Sequence, residues 1–376
     1  MTRDQFWICF GICLAWRLLF AIAFAGMDYV GGGGDGLVYH VLGLYSRDVV
    51  YGVPGPPLSE LIVNWWTETE ALEAKYSGVL AELQASGAEI FRSDTLPVIL
   101  LHGGIYYFVP HPLAFTALVS VLSAFANARL IEATGATGAA RTLIMLNPLS
   151  TYFAATHLKE GLTEVLLIGL VIARWTSARR LLPLVFAVML VLFRPSFWPI
   201  GLLILVAPNL SRLDPRLIVI VAVIAALLMP GMQWNLEHAD GGFLFSVVRM
   251  NEFTEAWLGL LVGFGAPFPV PVGAWVPFTI AMWLGGIAYW TVLPRTLLSF
   301  ATRPDSSMFV WVPILLSAII GYAVVGDLAA KTRFFSPVFP ILIVGWFMVR
   351  QLQAMRDAAG NPLAAGATRS TQAPGA

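Results

Sequence analysis

The chain has 376 residues, of which 58% are hydrophobic and only 12% are charged, and its mean hydropathy is +0.77. Soluble domains carry about 25% charged residues, so this composition argues against a water-exposed surface. The 22 basic and 22 acidic residues cancel, which argues against a general affinity for nucleic acid. We therefore expect an integral membrane protein.

Apolar runs along the chain approach the roughly 20 residues that a helix needs to cross about 30 Å of hydrocarbon. They predict an all-α fold, a polytopic transmembrane bundle of about ten helices. The first run contains Arg17 and no small-residue cleavage pattern follows it, so we expect it to be retained as a helix. The predicted spans are 6–26, 112–133, 139–156, 160–175, 180–193, 195–209, 216–231, 271–294, 307–326 and 334–350.

Arginines recur in alternate loops, and the positive-inside rule places such loops in the cytoplasm. With a cytoplasmic N-terminus, the cytoplasmic loops hold Arg174, Arg179, Arg180, Arg212, Arg216, Arg295, Arg303, Arg350 and Arg356. This register puts the C-terminus in the cytoplasm as well. Residues 1–356 are expected to form the multi-pass domain, and residues 357–376, rich in Ala, Gly, Thr and Pro, a disordered cytoplasmic tail.

The first extracytoplasmic loop, residues 27–111, is too long for a simple connection between helices. It opens with a glycine run that lets the backbone turn before a predicted helix that begins near Asp35. The stretch from Ser59 to Leu83, with two tryptophans at its start, is typical of a helix on the membrane surface. A second apolar segment, 96–109, is expected to enter the interface without spanning the bilayer.

Asp35 is the candidate catalytic residue. A carboxylate in a partly desolvated cleft just outside the first span can take a proton from an acceptor hydroxyl. The alternative is that Asp35 only caps the following helix. Tyr39 and His40 lie on that helix and are candidate substrate-binding residues, although His40 can equally be a hydrogen-bonded filler.

Three further groups of charged residues are predicted on the same membrane face. Lys159 and Glu160 stand between two apolar runs, where charge is costly; they are candidates for phosphate binding or for a plain ion pair at a helix end. Arg194 is a phosphate candidate, with snorkelling to the interface as its alternative. Lys331 and Arg333 flank the last span and either bind the ligand or anchor the helix.

One carboxylate and three basic positions on one face predict an anionic lipid-linked substrate, such as a polyprenyl-phosphate sugar. The sequence contains no Walker-type glycine loop, dinucleotide fingerprint or metal-spaced His/Cys cluster, so no cofactor is expected. Other membrane lipids are the expected surroundings, and nucleic acid is not an expected partner.

In their order, these features resemble the bacterial membrane glycosyltransferases of the GT-C fold, which are related to protein O-mannosyltransferases and lipid A aminoarabinose transferases. The resemblance covers nearly the whole chain, but each of its motifs is short. It is carried by the acidic residue after the first span, the helical first loop, Asn147-Pro148, Lys159-Glu160, Arg194-Pro195 and the basic residues before the last span.

The resemblance implies a transferase of the bacterial cytoplasmic (inner) membrane that makes cell-surface polysaccharide or glycolipid. Asp35 would be the catalytic base, and the basic residues would hold the donor phosphate. Gly36 stands where a second acid would help to bind a divalent metal, so metal dependence stays open. The expected acceptor is a lipid-linked molecule or a glycan.

Two other functions fit the same features. A polymerase or ligase of lipid-linked polysaccharide needs a similar site with room for two long glycans. A transporter of an anionic lipid-linked substrate needs the basic residues but no base. The long first loop favours an enzyme, since the sequence lacks the internal repeats or paired broken helices of many transporters.

Overall fold

A computed structural model describes residues 1–27, 35–47, 96–109, 111–176 and 181–194, together with parts of 197–205, 279–292 and 336–351. Every regular element in these ranges is helical, and none of them contains a strand. The all-α class is therefore confirmed for the described residues. The predicted surface helix at 59–83 and the predicted spans 216–231 and 307–326 lie outside them.

Eight α-helices follow one another in the described N-terminal half of the chain. α1 and α4 pack along each other, α7 packs against α4 and α8, and α2 packs against α3. A short 3-10 turn, Ser336–Val338, lies against α7 and α6. The helices are α1 (Arg3–Gly26), α2 (Asp35–Ser46), α3 (Leu96–Phe108), α4 (Pro112–Thr134), α5 (Gly138–Met145), α6 (Pro148–Ala154), α7 (Glu160–Thr176) and α8 (Leu181–Phe193).

Two of the described helices, α1 and the Leu113–Thr134 part of α4, are long and apolar enough to cross a bilayer. α1 begins with a capping box, in which Thr2 and Gln5 satisfy each other's backbone amides. Its outer face exposes large apolar side chains, and so does that of α8. Such surfaces suit lipid rather than water. The exposed residues include Trp7, Ile8, Ile12, Leu19 and Ile22 on α1, and Leu181, Leu184, Val185 and Val188 on α8.

The run predicted as one span at 139–156 consists of two short helices, α5 and α6. Pro148 has no amide hydrogen to continue a helix, and it stands at the first position of α6, where none is needed. Asn147 caps α6, because its Oδ1 accepts from the amides of Leu149 at 3.1 Å and Ser150 at 3.4 Å. The chain therefore bends inside the protein at this point.

A buried arginine of α1 is hydrogen-bonded directly to two other helices and, through a serine, to a third. Arg17 is completely buried, and its Nε donates to Ser123 Oγ of α4 at 2.9 Å. Ser123 Oγ donates to Glu164 Oε1 of α7 at 3.2 Å, and Asn127 Nδ2 donates to the same oxygen at 2.7 Å. Arg17 Nη1 also donates to the carbonyl of Met145, at the end of α5, at 3.1 Å. One polar network thus joins α1, α4, α5 and α7.

This network balances a charge that an apolar helix would otherwise carry alone. An unpaired arginine near the middle of a membrane helix costs about 2.5–3.5 kcal/mol on insertion scales. Glu164 supplies the opposite charge, and Ser123 links the two groups as acceptor for one and donor for the other. Removing one member of a buried pair leaves the other unbalanced, which costs about 3–5 kcal/mol.

We expect Arg17→Met and Glu164→Gln each to lower the free energy of unfolding in detergent by about 3–5 kcal/mol. The double variant should lose clearly less than the sum of the two, because neither charge is then left alone. Arg129→Met is the matched control, since Arg129 pairs with Glu132 on the exposed side of α4, where ion pairs contribute about 0–1 kcal/mol. Additive losses in the double variant would contradict the coupling.

Candidate functional site

The helix predicted to start at Asp35 is present as α2, and glycines let it approach α3 closely. A Cβ added to Gly43 of α2 would collide with His102 Cβ and lie 3.2 Å from Tyr106 Cε2. A Cβ added to Gly103 of α3 would lie 2.6 Å from Ser46 Oγ. Because each glycine faces the partner helix, the two backbones approach more closely than larger residues would allow. This packing joins the two described helices of the predicted first loop.

Three histidines and one tyrosine meet where α2 and α3 contact the segment between α6 and α7. His40 Nδ1 lies 2.8 Å from Tyr106 Oη, and that oxygen lies 3.2 Å from His157 Nδ1. His102 Nε2 lies 3.3 Å from the same His157 nitrogen. The rings of His102 and His157 both stack on Phe115 of α4, with interplanar angles of 17° and 15°. We call His40, His102, Tyr106 and His157 the histidine cluster.

The segment between α6 and α7 is buried, although connections usually lie on the surface. Every residue from 151 to 164 is buried. Within this stretch Lys159 is 4% exposed and Glu160 is 1% exposed. Arg194, just after α8, is also buried, and its Nη1 lies 3.3 Å from Glu160 Oε1. Polar and charged side chains are therefore enclosed directly beside the histidine cluster.

Burial keeps the imidazoles of the cluster neutral. It lowers the pKa of His40 to about 4 and that of His102 to about 3. It lowers the pKa of His157 well below the usual range, with a smaller contribution from the neighbouring histidines. Desolvation of the phenol raises the pKa of Tyr106 far above its ordinary value. At neutral pH the cluster therefore consists of neutral donors and acceptors.

The structure brings most of the described candidate residues into one region. Tyr39 is buried, with its ring centroid 6.4 Å from that of His102, and the His40 ring lies 5.1 Å from that of His157. Asp35 is the first residue of α2. Lys159, Glu160 and Arg194 lie at the adjoining buried segment. Lys331 and Arg333 lie outside the described residues.

Several residues of this region had no predicted role. His157 was visible only as a polar residue just before Lys159, and His102 and Tyr106 only as polar residues in an apolar segment. The sequence feature that could have indicated these residues is a polar or charged side chain inside an apolar run. Arg17 and Glu164 show the same feature. Sequence spacing gives no means of pairing such residues across different helices.

The histidine cluster offers hydrogen bonds rather than a metal site. In the described ranges, no three His, Cys, Asp or Glu side chains are arranged to hold a metal ion. The region as a whole combines neutral imidazoles with a buried Arg194–Glu160 pair and a buried lysine, Lys159. Such a combination can bind a ligand that has hydroxyl groups at one end and negative charge at the other.

We expect Gly43→Ala to lower the midpoint of thermal unfolding, because the added methyl group must push α2 away from His102 and Tyr106. Overpacking of this kind costs about 1–3 kcal/mol. Gly11→Ala is the matched control: an added Cβ there meets nothing within 4 Å, so the better helix propensity of Ala should leave stability equal or slightly higher. Equal midpoints for both variants would show that α2 does not pack tightly on α3.

Comparison with known proteins supplies no relative for this chain. No family model, curated protein or solved structure matches it. The resemblance to GT-C glycosyltransferases therefore stays a prediction from the sequence.

Proposed function

We propose that this protein is an integral-membrane glycosyltransferase that transfers a sugar from a polyprenyl-phosphate donor to a lipid-linked or glycan acceptor. In this proposal about ten helices cross the cytoplasmic membrane, both termini are cytoplasmic, and the reaction occurs at the extracytoplasmic face. The observation that carries the proposal is the contact between His40 of the first loop and His157, which precedes the buried Lys159–Glu160 segment.

That contact supports the proposal because His40 lies on the same helix as the candidate base, and His157 lies two residues before the candidate phosphate ligand Lys159. α2 extends from Asp35 to Ser46, so the Cα of Asp35 is about 6 Å along the helix axis from the Cα of Tyr39. Tyr39 is packed beside His102, and His40 beside His157. In this proposal, the carboxylate-bearing end of α2 faces the same ligand as the buried segment.

The charges of the buried segment suit a lipid phosphodiester. Lys159 and Arg194 supply cationic groups, and a polyprenyl-phosphate sugar carries a single negative charge. Buried cations of this kind are costly in an apolar setting and tend to mark a binding site. An arginine guanidinium can bind two phosphate oxygens at once, and a lysine adds a point charge.

Each residue then has a defined part in an inverting transfer. Asp35 takes the proton from the acceptor hydroxyl, whose oxygen attacks the anomeric carbon. The bond from that carbon to the phosphate oxygen breaks, and its electron pair leaves with the lipid phosphate. Arg194 and Lys159, joined by Lys331 and Arg333, stabilise the charge that grows on the departing phosphate.

Asp35→Asn should reduce turnover of the lipid-phosphate sugar by about 10²–10⁴-fold, because the amide cannot accept the proton. Asn has the same size as Asp and takes the same first position of α2, so folding and donor binding should stay near the wild-type level. The measurement is sugar transfer by purified protein in lipid nanodiscs, with donors that carry several different hexoses.

The control for this variant is Asp4→Asn, which changes an exposed carboxylate in the first turn of α1. It should leave turnover unchanged. Equal rates for wild-type and Asp35→Asn protein would remove Asp35 from the mechanism. Absence of turnover by wild-type protein with every donor would count against the transferase and in favour of transport.

Arg194→Ala should weaken binding of decaprenyl phosphate, because a charge-assisted hydrogen bond is lost. Such bonds contribute about 1.5–3 kcal/mol, which corresponds to roughly a 10- to 150-fold change in affinity. Arg194→Lys should recover part of the loss by restoring the charge. Arg129→Ala removes an arginine that is about half exposed on α4 and should bind the lipid normally. If Arg194→Ala and Arg129→Ala bind equally well, Arg194 has only an anchoring role.

A further inference from the structure

The hydrogen bonds of the histidine cluster can run in only one direction, and a backbone carbonyl determines it. His102 Nδ1 lies 2.9 Å from the carbonyl oxygen of Val98. A carbonyl oxygen only accepts, so His102 Nδ1 carries a hydrogen. Because burial keeps His102 neutral, with its pKa lowered to about 3, its other nitrogen, Nε2, carries none.

The proton positions of the remaining members follow from this tautomer. His157 Nδ1 lies 3.3 Å from the bare His102 Nε2, so His157 must donate from Nδ1. Its hydrogen is shared with Tyr106 Oη at 3.2 Å, and Tyr106 then donates its own hydrogen to His40 Nδ1 at 2.8 Å. A neutral imidazole has one hydrogen, so His157 Nε2 carries a lone pair.

That lone pair is held in a fixed orientation. The His157 ring is stacked on Phe115 at a centroid distance of 5.7 Å and is hydrogen-bonded through Nδ1 to two partners. Among the described residues, no group donates a hydrogen bond to His157 Nε2. The His157 side chain is only 2% exposed, so a ligand that reaches Nε2 can supply the hydrogen that this acceptor lacks.

We infer that His157 Nε2 accepts a hydrogen bond from a hydroxyl of the bound sugar, which makes His157 a determinant of donor specificity. The inference rests on the proposed function and extends it to the sugar. His157 precedes Lys159 by two residues, so a glycosyl phosphate held by Lys159 and Arg194 has its sugar close to this nitrogen. His102, through its bond to Val98, is a positioning residue that fixes the tautomer of His157.

The same geometry predicts which sugars are disfavoured. A hydroxyl supplies the hydrogen that Nε2 needs, whereas a carboxylate at that position would set two acceptors against each other. We therefore expect a neutral hexose to bind better than the corresponding hexuronate. The chemical class of the donor is a polyprenyl phosphate that carries a neutral, hydroxyl-bearing sugar.

The first experiment tests the lone pair without requiring any transfer activity. Diethyl pyrocarbonate acylates imidazole nitrogens that have a free lone pair, and mass spectrometry locates the modified residues in the full-length protein in nanodiscs. We expect modification of His157 and none of His102, both of whose nitrogens are engaged. Decaprenyl-phosphate-linked mannose, glucose or galactose should protect His157 more than decaprenyl phosphate alone.

Two substitutions of His157 test the contributions of its two ring nitrogens separately. Asn places an amide NH₂ near the position of Nδ1 and removes the Nε2 acceptor, whereas Gln can place an amide oxygen near Nε2. We expect His157→Asn to weaken binding of the hexose lipid about three- to tenfold, the range for one lost hydrogen bond, while binding of decaprenyl phosphate stays unchanged. His157→Gln should retain more of the sugar affinity, and His111→Asn, outside the cluster, should retain all of it.

Each outcome bears on the inference. Modification of His102 in preference to His157 would overturn the assigned tautomers, and an unreactive His157 would overturn its access to a ligand. Equal protection by decaprenyl phosphate with and without sugar would overturn the hydroxyl contact. If wild-type protein transfers sugar while His157→Asn binds the hexose lipid normally, the inference fails and the proposed function stands. Reactive His157 with no protection by any of these lipids would count against both.

Discussion

The described helices depend on the neutralisation of Arg17 inside an apolar bundle. Its guanidinium lies on a helix that is otherwise suited to lipid, and it is tied to Glu164 through Ser123. The same arginine binds the carbonyl of Met145, where the chain breaks before α6. Because α1, α4 and α7 share these bonds, their relative register is set by charge pairing as well as by packing. Shifting any of them by one residue would separate the charges.

The relative register of these helices also fixes the position of the candidate functional site. α7 begins at Glu160, so the helix that is held by Glu164 also holds the buried segment with His157 and Lys159. α4 contributes both Ser123 to the Arg17 network and Phe115 to the histidine cluster. The two polar regions are therefore different parts of the same helices. One joins α1, α4, α5 and α7, and the other, in the proposed function, presents neutral imidazoles and cations to a ligand.

Much of the local structure could be predicted from the sequence, whereas the contacts between distant residues could not. The helix expected to begin near Asp35, after the glycine run of the sequence, is present as α2. Hydrophobic length identified α1 and α4. A single span at 139–156 was expected because apolar length outweighed the break that Pro148 imposes. The His40–His157 contact needs two helices to pack through glycines, which periodicity along one helix does not report. The roles of Lys331 and Arg333 stay predictions.

The central claim is that a lipid phosphate binds beside the buried Lys159–Glu160 segment. It is tested most directly with a decaprenyl-phosphate hexose that carries a photoreactive diazirine next to the phosphate. After irradiation in nanodiscs, mass spectrometry should find the label within 157–160 and near Arg194, and unlabelled donor should compete it away. Labelling confined to the exposed apolar face of α1, around Trp7 and Ile8, and insensitive to competition, would contradict this claim.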